Sequence, residues 1–222
     1  MTMSLRVQSA PRVRVPQPYW GYEDIGIFFF ALVFLASVVR LGVRRHLLPR
    51  PELLTPSLGV QCAIIILLSI ALYVVLKCRH HLPVVAPLGW VAPNVFYTAV
   101  APVAGITAAL GIVLLIHLRH QVMPTMPVID FLGLVLGPIL EESVFRGCLL
   151  PVVARTFGGA FAVIATALLF AVFHGPTDLA HWCWFTATGV AYGWLRLASQ
   201  TTTAAAFMHA TDNLTLFLAA RL

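Results

Sequence analysis

The sequence predicts an all-α, polytopic membrane protein, with about seven transmembrane helices around an intramembrane polar cavity. Three observations carry that prediction. The 222 residues are 60% hydrophobic and only 10% charged, where a soluble domain carries roughly 25% charged residues. The apolar residues fall into long runs separated by short clusters of Arg, Pro and His, as in chains that cross a bilayer several times. Finally, the polar groups that interrupt apolar runs are confined to the second half. There Glu141, Glu142 and Arg146 stand inside the run from Phe131 to Val153, where burying charge is costly.

Each segment follows from its own residues. Residues 1–24 form a basic, Pro-bearing tail with Arg6, Arg12, Arg14, Pro11, Pro16 and Pro18. Tyr19, Trp20 and Tyr22 read as an interfacial aromatic cluster before the first span, Ile25 to about Val43, with Arg40 placed to snorkel. A Pro-punctuated loop leads to an uncharged span from Leu58 to Leu76. A loop containing His80, His81 and Trp90 precedes the third span, Val95 to Ile116, which Pro102 and Gly105 are expected to bend. These three spans, within residues 25–127, read as accessory helices.

Residues 128–222 read as a catalytic helical core. A fourth segment starts near Val128, a fifth runs from Gly159 to Phe173, a sixth from about Trp182 to Leu195, and a seventh from Thr203 to Ala220. Several of these runs fall short of the roughly 20 residues of a full span, which suits helices buried around a polar cavity. Neither an internal repeat nor an orientation is readable, because alternate loops carry nearly equal Lys and Arg counts.

The net charge of +6 sits at the ends of apolar runs, in Arg44, Arg45, Arg50, Lys77 and Arg79. Membrane lipids are therefore the expected partners of those cations, and nucleic acid is not. Cys62, Cys78, Cys148 and Cys183 have neither paired nor metal-type spacing. The first span reads as a retained anchor and not as a cleaved signal peptide.

Helical geometry sorts the candidate chemistry. Glu142 and Arg146 are four residues apart, about 40° on the wheel, and can pair in the favourable order. Glu141 lies about 140° from Arg146 and points to another face. Glu142 is thus the expected counter-ion, and Glu141 is free to face a cavity. His209 and Asn213 share one helix face, as do Phe170 and His174. A carboxylate and a histidine from separate helices can hold and deprotonate a water. A second histidine with an asparagine can donate to an oxyanion. These are parts for water-driven amide hydrolysis without a covalent intermediate.

Each motif also has a plainer reading. The Glu–Arg pair can be structural, His174 interfacial, and His209 with Asn213 a tie between helices. Gly133 with Gly137, and Gly189 with Gly193, read as close helix packing. Asp130 suits a helix start; Asp178 and His181 suit a polar rim; His46, His80, His81, His117 and His120 suit interfaces. Glu141, His174 and His209 could in principle ligate zinc, but the His-Glu-x-x-His signature is absent. No metal or other cofactor is therefore expected, and a zinc protease stays the alternative. The same ionisable residues would serve a proton-coupled transporter.

At these positions the chain resembles the CAAX-protease and bacteriocin-processing family of glutamate-type intramembrane proteases. Glu141, Glu142 and Arg146 match Glu-Glu-x-x-x-Arg; Phe170 and His174 match Phe-x-x-x-His; His209 and Asn213 match His-x-x-x-Asn. The resemblance covers about residues 128 to 220. It implies that Glu141 and His174 activate water, that His209 and Asn213 stabilise the oxyanion, and that Glu142, Arg146 and Phe170 support the site. It further implies a multi-pass enzyme cleaving a membrane-associated peptide or protein. The short chain suggests a bacterial cytoplasmic membrane, where a prenylated substrate is not expected. A non-catalytic immunity or scaffold protein of the same fold is the alternative.

Overall fold

The computed structural model describes residues 18–45, 58–118, 131–176 and 178–221. The expectations for residues 1–17, His46, His120 and Asp130 lie outside them, as do those for the side chains of Arg40, Cys62 and His117. All regular structure among the described residues is helical: α1 (Tyr22–Arg44), α2 (Leu58–His80), α3 (Val95–Leu118), α4 (Phe131–Glu142), a π-helical segment (Ser143–Leu149), α5 (Leu150–Phe157), α6 (Gly159–Phe173), α7 (Leu179–Ser199) and α8 (Thr202–Ala219). The rod from α4 through the π segment to α5 is continuous, so the described residues form seven rods. At 1.5 Å per residue, the 23 residues of α1 and of α2 and the 24 of α3 each span about 35 Å, enough for a hydrocarbon core.

By length and composition, one helix among the described residues is apolar enough to cross a membrane, Val95–Leu115 within α3. Most of that stretch lies on the outside of the bundle, unlike the core helix of a soluble protein. Phe30, Val33, Phe34, Leu67, Val103, Leu114, Ile164 and Val172 are likewise exposed. Large apolar side chains are thus exposed on α1, α2, α3 and α6.

The accessory helices are not set apart from the second half. α8 packs against α3, α4 and α7, α6 against α7 and α5, and α2 against α4. A Cβ on Gly105 would collide with Thr211 Oγ1 and the Met208 carbonyl, so that glycine lets α3 approach α8 closely. Gly189 and Gly193 play the same part for α7, a Cβ there meeting Ala167 at 3.0 Å and Val163 at 3.3 Å. Gly133 and Gly137 differ from the packing expectation: both line a cavity.

The amino-terminal aromatics also differ from the interfacial reading. Trp20 is buried, and its indole N–H donates to the Cys148 carbonyl at 3.1 Å. Arg155 donates to the carbonyls of Pro18 and Trp20. The chain before α1 is thus tied to the π segment and α5, and only Tyr22 remains exposed. The helix begins at Tyr22, so Glu23 and Asp24 occupy its first turn and not the tail. His80 and Arg79, read as interfacial, instead pair with Asp24 Oδ1 at 2.9 and 2.7 Å.

Burial pushes the Asp24 carboxyl up, but the Gly21 N–H, His80 and Arg79 outweigh it, and the group titrates below the usual carboxylate range. A lowered folded-state value gives stability that is present at neutral pH and lost as pH falls through that value. The thermal midpoint of wild type is therefore expected to exceed that of Asp24→Asn at pH 7. The gap should close as pH falls below about 4. A gap independent of pH between 7 and 3 overturns this assignment.

Candidate active site

The site grows from the rod that carries the acidic pair. Pro138 lies within α4, and Pro151 stands at the start of α5, removing a backbone donor at each place. Between them the helix widens. Leu150 N–H reaches back five residues to the Phe145 carbonyl, the bonding of a π-helix, which recurs at functional sites. The loop before α3 braces this turn: Trp90 Nε1 donates to Ser143 Oγ at 2.9 Å. A Cβ on Gly147 would lie 2.8 Å from the Leu88 carbonyl. Gly89, at φ +86°, turns the loop so that its carbonyl accepts from Thr202 N–H at the start of α8.

Glu142 and Arg146 are both fully buried. Arg146 donates to Glu142 Oε1 at 3.0 Å and to the Gly189 carbonyl at 3.0 Å. Its guanidinium lies 4.5 Å from the Phe170 ring centre and 5.2 Å from that of Tyr192, two aromatic neighbours for the cation. Arg146 therefore pairs with Glu142 and not with Glu141. Glu142 has a second partner on another helix, His209 Nδ1 at 2.9 Å.

A cavity of about 500 Å³ opens beside this buried group, lined by Gly133, Leu134, Gly137, Glu141, Phe170, His174, Trp184, Phe185, Thr188, Tyr192, His209, Asp212 and Asn213. Glu141 Oε2 is 3.6 Å from His174 Nε2 and 3.8 Å from His209 Nε2. The three side chains converge without hydrogen bonding directly. His174 sits at the C-cap of α6. Its Nδ1 is 2.8 Å from the Phe170 carbonyl, so Nδ1–H donates there and Nε2 is the ring nitrogen turned toward Glu141. The ring stacks on Phe185 at 4.4 Å and rests on Phe170 at 4.2 Å. The four-residue spacing of Phe170 and His174 thus fixes a ring orientation as well as a position. Phe170 does double duty, its ring contacting both His174 and Arg146.

On α8, His209 is buried, with Tyr192 stacked on it at 4.7 Å and 19°. Asn213 Nδ2 donates to the Leu134 carbonyl at 3.2 Å, leaving the second amide N–H for the cavity. Glu141, Phe170, His174, His209 and Asn213 therefore meet around one cavity, with Glu142 and Arg146 buried behind its wall.

Two residues escaped the sequence reading. Tyr192 O–H donates to Asp212 Oδ2 at 2.6 Å, and both side chains are buried and line the cavity. Asp212 had a signal, since it stands three residues after His209 on the same helical face. Tyr192 had none, because nothing in the chain pairs position 192 with position 212. No group of three His, Cys, Asp or Glu side chains among the described residues is disposed to hold a metal ion. Cys78, Cys148 and Cys183 are free thiols.

Residues 123–215 match the model of the Rce1-like family, described as type II CAAX prenyl endopeptidase Rce1-like. This segment is CAAX-protease-like. The match covers all three motifs and holds the likeness read from them. That description names an endopeptidase, a hydrolase of peptide bonds. No curated protein and no solved structure matches the chain.

Proposed function

We propose that the protein is a multi-pass, metal-independent intramembrane endopeptidase of the glutamate type, acting on a membrane-associated peptide or protein. The proposed location is a bacterial cytoplasmic membrane. The convergence of Glu141, His174 and His209 within 3.8 Å of one carboxylate oxygen carries the reading. The exposed apolar band on α1, α2, α3 and α6 supports the membrane.

The 3.6 Å between Glu141 Oε2 and His174 Nε2 suits a water that bonds to both. Glu141 takes a proton from that water as its oxygen attacks the scissile carbonyl carbon. The electron pair of the carbonyl moves to its oxygen, which receives N–H donors from His209 Nε2 and Asn213 Nδ2. Collapse of the tetrahedral intermediate breaks the C–N bond, and protonated Glu141 returns its proton to the leaving nitrogen.

The hydrogen-bond count adds a condition. His209 Nδ1 faces the Glu142 carboxylate, which can only accept while ionised, so Nδ1 carries a proton. To donate from Nε2 as well, the ring must be an imidazolium. Glu142, shared by Arg146 and His209, then orients an oxyanion donor, a larger part than counter-ion to Arg146.

The test is cleavage of a membrane-tethered peptide by the full chain reconstituted in vesicles, with mass spectrometry of the products. Incorporation of one ¹⁸O from labelled water into the new carboxylate is expected, and activity is expected to persist with a strong chelator. Loss of activity on chelation that zinc restores would favour the zinc reading; flux of solute across sealed vesicles with no product would favour a transporter.

A further inference from the structure

The reaction as derived leaves one cavity group unused. Asp212 is 2% exposed. Its Oδ2 accepts from Tyr192 O–H, while its Oδ1 is buried without a hydrogen-bond partner. A buried carboxylate oxygen left unanswered is costly, and this one belongs to a residue lining the cavity. The surrounding charges sharpen the point. Among the described residues, the acidic groups of the cavity wall are Glu141 and Asp212, and its basic groups are His174 and His209. The buried Arg146 donates to Glu142 and the Gly189 carbonyl and is not among the described residues that line the cavity. A cavity of this size, apolar on its Phe170, Trp184 and Phe185 walls with a few placed polar groups, has the makeup of a ligand site.

We propose that Asp212 is a specificity-determining residue whose free carboxylate oxygen receives the ammonium or guanidinium of a Lys or Arg side chain in the substrate. The inference rests on the endopeptidase reading for the name substrate, but not for the binding itself. Tyr192 holds Oδ2, which leaves Oδ1 as the buried, unpartnered oxygen of a carboxylate in the cavity wall. A cation there gains a charge-assisted hydrogen bond. A neutral side chain of equal length leaves Oδ1 unsatisfied, and a carboxylate is repelled by both acids.

The test uses the Glu141→Gln protein in detergent, which removes hydrolysis and the second cavity carboxylate. Binding is measured for fluorescent apolar peptides identical except for one central residue: Lys, norleucine, which keeps the four-carbon chain without the ammonium, or Asp. The Lys peptide is expected to bind at least about tenfold tighter than the norleucine peptide, with the Asp peptide weakest. Adding Asp212→Asn is expected to bring the Lys and norleucine peptides within about twofold. Tyr192→Phe, which keeps the charge, should retain the preference. Equal binding of the three peptides overturns the proposal without any Asp212 variant, and so does a Lys preference that survives Asp212→Asn. Cleavage by wild type with no Lys preference sinks the subsite alone. An Asp212-dependent preference in a protein that yields no product sinks the endopeptidase alone.

Discussion

Replacing Glu141 with glutamine is expected to lower kcat/KM by about 10³- to 10⁴-fold, the range associated with loss of a general base. Gln keeps the size and shape of the side chain, but its carboxamide cannot take a proton from water. The loss should appear in kcat, because Glu141 acts on the water and not on the substrate. The fold should be unaffected. Glu141 is a third exposed, makes no direct hydrogen bond through Oε2, and Gly137 leaves room beside it, with a Cβ there 3.4 Å from Glu141 Oε1. A Gln variant that cleaves within tenfold of wild type at unchanged thermal midpoint removes Glu141 as the base. Initial rates on a membrane-tethered peptide, with the thermal midpoint measured on the same preparation, decide it.

Much of this arrangement was legible because the chain's polar residues are so few. Long apolar runs announced the helices, and their bounds moved little: the sixth run, Trp182 to Leu195, is the middle of α7, and the seventh differs from α8 by one residue at each end. The sixth helix starts earlier because Asp178, read as a surface residue, caps it by accepting from His181 N–H. The wheel separated Glu141 from Glu142 although it assumed an α-helix. The first turn after Glu142 is π-helical, yet i→i+5 bonding still leaves residues i and i+4 on one face, so the Glu142–Arg146 pair survives the wrong geometry.

What stayed hidden depends on contacts between helices. Trp20 read as interfacial because aromatic residues before a span usually are. Its burial follows from a carbonyl in the π segment more than a hundred residues away. His209 to Glu142, Tyr192 to Asp212 and the cavity placement of Gly133 are likewise tertiary facts. A four-residue spacing can be read along a chain, whereas a partner on another helix cannot. The chain's own patterning thus located the catalytic candidates, and only packing distinguished the groups that orient them.

The second large effect is expected from Arg146→Met, a destabilisation of about 3–5 kcal/mol, the usual cost of breaking a buried pair by removing one partner. Met keeps an apolar stem but stops short of the guanidinium, so the change removes the charge and hydrogen bonds together with the head group's contacts on Phe170 and Tyr192. Two groups are then stranded. Glu142, fully buried, retains only His209, and the Gly189 carbonyl loses its buried donor. Adding Glu142→Gln to Arg146→Met is expected to recover part of the loss, since it removes the uncompensated charge but not the orphaned carbonyl. The double variant should nevertheless be poorly active, because the carboxylate that holds His209 in its donating form is gone. Chemical unfolding of the four proteins in one detergent measures the coupling. Two adjacent glutamates thereby predict opposite signatures: Glu141→Gln costs rate at constant stability, while disturbing Glu142 or Arg146 costs stability first. An Arg146→Met protein as stable as wild type would remove the Glu142–Arg146 pair as a source of the bundle's stability.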